Sequence, residues 1–264
     1  MQILTTGKRV LVTGGGSGIG RVIAETFFHN GSRVHVCDVD QYLLDDLHSQ
    51  YPDIITTLTD ISKTEDVRNL FKDSKKHMGG LDILVNNAGI AGPTAYTEEV
   101  TPKEWNRTLD VNISGQFYCA REGIPLMKSV GGGCIINISS AAIWKGGFPM
   151  RIPYATSKVA VIGFTETLAM EVGPYNIRVN AVLPGAVLGD RLQRVMEARA
   201  KTSNESVEDL LKKGISCHSM RTAITPQEIA NLVFFLCSDA ACHISGQTIS
   251  VCGNFEGCHG IDFE

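Results

Sequence analysis

The segment that most restricts this chain is Thr13-Gly-Gly-Gly-Ser-Gly-Ile-Gly20, which follows directly on the apolar run Lys8-Arg-Val-Leu-Val-Thr13. A strand that gives way to a glycine-rich turn and then a helix leaves few folds open. Glycines at 14, 18 and 20 allow a tight reversal, a close backbone approach and close seating of the helix. Such a turn also presents backbone amides at a helix N-terminus, a suitable seat for a pyrophosphate. The spacing G-x-x-x-G-x-G differs from the commoner G-x-G-x-x-G, but the physical task is the same. Taken alone, the turn is equally compatible with no ligand.

Downstream, apolar runs alternate with helical stretches. Strands are predicted at Lys8–Thr13, Ser32–Asp38, Ile54–Leu58, Leu81–Val85, Cys134–Ile138, Ile177–Val182 and Gln247–Val251. Helices are predicted over Gly18–Asn30, a stretch through Leu47, Thr64–His77, Thr101–Met127, a segment from Tyr154 to Val172, and Pro226–Ser238. The strands are continuous apolar runs, as expected of a parallel sheet covered on both faces. With no low-complexity linker and no repeat, the expectation is one doubly wound, Rossmann-type α/β domain of about seven strands over residues 1–264. The polar, helix-prone section at about 185–225 reads as a substrate-covering insertion over the carboxyl edge of the sheet, where ligands bind in such folds.

Charge and composition exclude other classes. A net charge of −4 and a pI near 6.0 provide no basic field for nucleic acid or an anionic membrane. The first residues lack a basic region followed by a long apolar run, and no stretch approaches the roughly 18 apolar residues that span a bilayer. A cytoplasmic protein is the expectation. Eight cysteines (37, 119, 134, 217, 237, 242, 252 and 258) include no Cys-x-x-Cys pair, so no metal or redox site is expected. Buried free thiols are the preferred reading.

Tyr154 and Lys158 add chemistry. Four residues apart on a helix, a phenol and an ammonium share one face. A free tyrosine titrates near pH 10, so work near neutrality requires about 4 kcal/mol of help for its phenolate. One ammonium at ~4 Å in a partly dry cleft supplies that order of energy. At the other end Asp38 closes the second strand, 38 − 20 = 18 positions past Gly20, where an acid reaches adenosine ribose hydroxyls. The same carboxylate opposes a 2′-phosphate. Charges of −1 and about −2 at ~5 Å repel by roughly 6 kcal/mol at an effective dielectric of 20, and if solvent removes three quarters of that, about 1.5 kcal/mol remains. With no Arg or Lys between Gly14 and Gly20, the expected cofactor is NAD rather than NADP.

With these motifs in place, nearly the whole chain resembles the short-chain dehydrogenase/reductase family. Thr13–Gly20 looks like its cofactor motif, with Gly14, Ser17, Gly18, Ile19 and Gly20 as the implied contacts. Asn86-Asn-Ala-Gly89 looks like its fourth-strand motif, which implies Asn87, Ala88 and Gly89, and Asp60-Ile61 sits where the family contacts adenine. Pro184-Gly185 looks like the turn after the sixth strand, with Val187 beyond it. The resemblance implies a catalytic tetrad of Asn112, Ser140, Tyr154 and Lys158. In it Tyr154 exchanges the substrate proton, and Ser140 bonds the same oxygen. Lys158 lowers the tyrosine pKa and holds the cofactor ribose, while Asn112 links Lys158 to solvent.

The implied activity is hydride transfer between NAD(H) and a small secondary alcohol or ketone; the rival is a non-catalytic NAD-binding regulator on the same fold. Family likeness also implies a homodimer or homotetramer paired through the helix around Gly115–Met127 and the Tyr154 helix, where Ala155, Val159, Ile162 and Gly163 permit close approach. Three departures stand out. The Ser140–Tyr154 interval is 154 − 140 = 14, one longer than usual; Gly189 replaces a threonine; and Cys252 replaces an aspartate. Trp144, Phe148 and Met150 are candidates for an apolar pocket wall. Arg191, Arg194, Arg199 and Arg221 are interleaved with acids and read as a solvated helix face.

The position of Asp38 sets a testable cofactor preference. NADH should bind at least about tenfold more tightly than NADPH, the ratio carried by about 1.5 kcal/mol, and Asp38→Ala should narrow that gap. Equal affinities in the wild type, measured by fluorescence titration, would contradict the assignment.

Overall fold

Seven of the apolar runs become seven parallel strands. The computed structural model describes residues 6–141, 148–200 and 205–255. Its strands are β1 (Arg9–Thr13), β2 (Arg33–Asp38), β3 (Ile55–Leu58), β4 (Ile83–Asn86), β5 (Gly133–Ile138), β6 (Ile177–Pro184) and β7 (Thr248–Val251), ordered β3-β2-β1-β4-β5-β6-β7. The order reverses between β1 and β4, the switch point at which such sheets open a crevice. Alternation along β1 shows why the runs are apolar throughout. Val10 and Val12 enter the core on one side of the sheet, and Leu11 enters the core on the other.

Helices α1 (Gly18–His29), α2 (Gln41–Gln50), α3 (Thr64–Met78), α4 (Pro102–Leu109), α5 (Gly115–Ser129), α6 (Ile152–Val172) and α9 (Pro226–Leu236) cover the sheet. On one face Phe27 of α1 meets Phe234 of α9 at 5.3 Å between ring centroids. On the other, Phe71, Leu84, Met127 and Val179 share a core with Leu168 of α6. Asp82 fixes the amino edge by taking Arg9 Nε at 2.7 Å, Nη2 at 2.8 Å and the Arg9 backbone amide at 2.8 Å. No helix among the described residues is long and apolar enough to cross a membrane.

Two expectations need correction. The stretch Thr101–Met127 is not one helix. Thr101 caps α4 by accepting from the Glu104 amide, and the chain then widens into a π-type turn over Asp110–Ser114 before α5 begins. Its mark is the Gly115 amide donating to the carbonyl of Asp110, five residues back. Gly115 is required there, since a Cβ would stand 2.6 Å from Cδ1 of Ile61. Nor are all the thiols buried. Cys37, Cys119, Cys134, Cys237 and Cys252 are, whereas Cys217 and Cys242 are exposed, and Cys258 lies outside the described residues. Burial pushes the Cys37 thiol up to about 12. The helix-prone section after Gly185 forms α7 (Asp190–Ala200) and α8 (Val207–Ser216).

Candidate active site

A cleft of about 700 Å³ runs from the glycine turn to α7 and α8. At one end, Gly14 and Gly20 are required by packing. A Cβ on Gly14 would lie 2.8 Å from Ala88 Cα, and one on Gly20 would overlap the Gly14 carbonyl and the Asn87 amide. Gly18 differs, with a φ of +56° and nothing near its missing Cβ. Only glycine adopts that conformation readily, and the open space lies on the cleft wall. Ser17 and Ile19 share the wall, and amides at this helix start suit a diphosphate.

Asp38 lines the same end, with Oδ2 taking the Gly16 amide at 3.0 Å and Oδ1 the Val39 amide at 2.8 Å. Asp60 and Ile61 complete it. Burial pushes the Asp60 carboxyl up, but hydrogen bonds from Ser62 and the Arg107 guanidinium outweigh that and hold it below its ordinary value. The walls meet where β1 and β4 end. Thr13 Oγ1 accepts the amides of Asn87 and Ala88, both at 3.1 Å, while Asn87 Nδ2 donates to the carbonyls of Thr13 at 3.0 Å and Gly14 at 2.9 Å.

At the other end, α6 brings Tyr154 and Lys158 to one face, and both line the cleft with Ser140, Pro184, Gly185 and Val187. Lys158 is 2% exposed, its Nζ donates to the Ile138 carbonyl at 2.8 Å, and it lies 5.9 Å from the Tyr154 ring centroid. Burial, then the charge of Arg191, lowers Lys158 to about 7. Ser139 Oγ donates to the Lys158 carbonyl at 2.7 Å, pinning the end of β5 to α6.

Asn112 is buried and is not on the cleft wall. It exchanges two hydrogen bonds with the Ile90 backbone, at 2.7 and 3.0 Å, and donates to Ser157 Oγ at 3.0 Å. Ser157 in turn donates to the Tyr154 carbonyl at 2.7 Å. Asn112 therefore braces the first turn of α6. A Cβ on Gly89 would stand 3.1 Å from Asn112 Oδ1 and 3.4 Å from Lys158 Nζ, so glycine keeps this corner open.

One charged group here went unnoticed in the sequence. Arg151 immediately precedes α6 and is 3% exposed, with Nη1 donating to Thr94 Oγ1 at 2.9 Å and Nη2 to the Ala91 carbonyl at 2.7 Å. Its Cζ lies 5.4 Å from the Tyr154 ring centroid, and that of Arg191 lies 6.0 Å away. Arg199 stands over Phe148 at 5.6 Å. Arg191, Arg194 and Arg199 all line the cleft; Arg191 and Arg194 are exposed, in keeping with the expected solvated face, and Arg199 is half-buried, whereas Arg221 turns to the Ser216 carbonyl at 2.6 Å. The signal missed was position: α7 follows directly on the turn after β6, at the carboxyl edge of the sheet.

A family profile described as enoyl-(acyl carrier protein) reductase matches residues 14–255. An uncharacterised oxidoreductase of Thermotoga maritima is 36% identical over 251 residues, covering 94% of this chain and 96% of that protein. A 3α-hydroxysteroid dehydrogenase of Mediterraneibacter gnavus is 35% identical over 261 residues, covering 96% and 98%. The chain belongs to the short-chain dehydrogenase/reductase family. It is an oxidoreductase of that family, and the solved structure of an NAD+-bound xylitol dehydrogenase superimposes with a TM-score of 0.90 at 29% identity, covering 94% of this chain and 99% of that one.

Two of the departures from the family pattern have a visible local setting. Gly189 has a φ of +141°, which a β-branched threonine would not adopt without strain. Cys252 is buried with Leu183 and Ala181 in a small cluster beneath Tyr154, and a Cβ on Gly185 would come within 2.8 Å of its Cα. Phe148 lines the cleft and Met150 does not, while Trp144 lies outside the described residues.

Buried Lys158 gives stability a pH dependence. The folded side chain releases its proton near pH 7, the unfolded one near 10.5. Between these values the unfolded chain binds the extra proton, so the contribution of Lys158 to stability rises with pH. Paired urea titrations should show the wild type gaining on Lys158→Met from about pH 7 to about pH 9. A difference that stays flat or falls across that window would contradict the burial argument.

Proposed function

We propose that the protein transfers a hydride between NAD(H) and the carbinol or carbonyl carbon of a small secondary alcohol or ketone, with Tyr154 exchanging the proton. One observation carries this reading: Tyr154, Ser140 and Lys158 share a single cleft with the glycine turn and Asp38. The residues present fit a dinucleotide. The open Gly18 position receives the diphosphate, and Asp38, Asp60 and Ile61 hold the adenosine end. Asn87, Ala88 and Gly89 with Pro184, Gly185 and Val187 flank the nicotinamide end. Bound there, the nicotinamide supplies the hydride acceptor or donor. An NAD+-bound relative of the same architecture supports the choice of cofactor.

The protein's own groups do the rest. In the oxidative direction the Tyr154 phenolate takes the proton of the substrate alcohol and becomes the phenol as hydride leaves the carbinol carbon. Ser140 donates a hydrogen bond to the same oxygen, holding it at the phenol. The Lys158 ammonium favours the phenolate and binds the ribose. Asn112 keeps the first turn of α6 in place and connects Lys158 towards solvent through the Ile90 backbone. We read the chain as one domain in which α7 and α8 form the substrate-covering part. Five buried free thiols fit a reducing cytoplasm.

We also infer assembly through α5 and α6 into a homodimer or homotetramer. Ile162 faces the protein's own core, but Val159 and Met170 of α6 and Phe117 of α5 are exposed apolar side chains. Gly163 has open space around its missing Cβ, which permits close helix approach. Light scattering at micromolar concentration should give a multiple of 28.6 kDa; the mass of one chain would refute assembly.

Tyr154→Phe removes only a hydroxyl, so fold and NADH binding should persist while turnover falls by about 10²–10⁴-fold, the usual cost of losing a positioned acid/base. Lys158→Ala should lower turnover and also weaken cofactor binding, with much less than additive effect in the double variant. A folded Tyr154→Phe protein with near wild-type turnover would remove Tyr154 from the mechanism and return the non-catalytic reading.

A further inference from the structure

Arg151 poses a physical question that the hydride-transfer reading leaves open. A guanidinium has five N–H donors and no acceptor. Two of its nitrogens are engaged by Thr94 and Ala91, yet Nε is buried and has no hydrogen-bond partner among the described residues. A purely structural arginine at 3% exposure would be expected to use that donor, because a buried charge is costly unless paired. Arg151 lies instead on the cleft wall, against the ring of Tyr154.

The surrounding charge makes the imbalance larger. Arg191 approaches the same ring, Lys158 lies within 5.9 Å of its centroid, and Arg199 is near Phe148 on the same wall. Burial pushes the Arg151 guanidinium below its ordinary value; the charge of Tyr154 opposes this, and the charges of Arg191 and Arg199 add smaller lowering influences. The acids on the cleft wall do not pair with Arg151 or Arg191. Asp38 is held by backbone amides, Asp60 by Ser62 and Arg107, and Glu205 is paired with Lys213. Among the described residues no carboxylate, Asp190 included, forms an ion pair with Arg151 or Arg191.

Deepening the hydride-transfer reading and resting on it, we propose that the substrate is an acid, a hydroxy or oxo acid whose carboxylate lies within a few bonds of the reacting carbon and is held by Arg151 and Arg191 beside Tyr154. A planar carboxylate matches the guanidinium fork, and charge-assisted hydrogen bonds of this kind are the strong ones. Because Arg151 is buried before any ligand arrives, a neutral substrate leaves its donor unsatisfied and is selected against. Arg191, exposed at the start of α7 and bonded at 3.2 Å to the Gly89 carbonyl, supplies the second cation.

The test uses NADH-loaded Tyr154→Phe protein, in which bound ketones should react about 10²–10⁴-fold more slowly. Pyruvate, acetoacetate, levulinate and benzoylformate are titrated calorimetrically beside their methyl esters, which keep the shape and remove the charge. At least one acid should bind about tenfold or more tightly than its ester, as charge-assisted pairing predicts. Arg191→Gln and Arg151→Lys should each reduce that preference while leaving ester binding within about threefold; should Arg151→Lys misfold, Arg191→Gln decides alone. The proposal is overturned if no acid outbinds its ester, or if the preference survives these variants. The outcome is separable from the function above: acids and esters bound alike leave hydride transfer intact, whereas preferred acids that wild-type and Tyr154→Phe proteins reduce equally well would sink Tyr154 catalysis and keep the anion site.

Discussion

The junction where β1 and β4 end holds the two halves of this molecule in fixed relation. The strand order reverses there, so the connecting loops diverge and a crevice opens by topology. A diverging crevice needs a stitch, and Thr13 and Asn87 provide it with four side-chain hydrogen bonds to backbone. The same stitch fixes how close the glycine turn lies to Ala88, which is why Gly14 tolerates no Cβ. The glycine turn and the end of β4 are thereby held by one short polar patch.

A second set of contacts carries that precision across the sheet. Asn86 donates to Asn137 and Asn137 to Thr165 of α6, both at 2.9 Å and fully buried. Ser139 Oγ then donates to the Lys158 carbonyl and Lys158 Nζ to the Ile138 carbonyl, tying the end of β5 to the same helix. Polar groups in a dry interior are costly unless paired, and when paired they define one geometry. The helix bearing Tyr154 is therefore located by directional bonds as well as by packing, as preorganised chemistry requires. Arg151 Nε, beside Tyr154, is a buried donor without a partner among the described residues.

Most of this was legible in the sequence because it is local. Apolar runs marked the seven strands, and Gly14, Gly18 and Gly20 marked the turn. Tyr154 and Lys158 were visible because helical spacing alone puts them together. Arg151 was not visible. Its burial depends on Thr94 and Ala91, some sixty positions away in an irregular loop with no periodic signal. The arginines of α7 were visible as a charged, solvated face, but not as part of the cleft wall, because interleaved charges look alike in both places. The division between α4 and α5 escaped because the π-type turn keeps helical composition, with no glycine or proline at its start.

That wide turn amounts to one surplus residue accommodated in an otherwise regular helix. Relative to a continuous helix, everything beyond it is turned by roughly 100° about the axis. Deleting a single residue between Asp110 and Ser114 would restore ideal winding and, judged as a helix alone, improve it. It would also carry Asn112 away from Ile90 and Ser157, and α5 out of step with Ile61. Regularity and placement thus oppose each other over five residues, and a sequence optimised only for helical content would drift towards a tidier protein whose tyrosine helix had lost its brace.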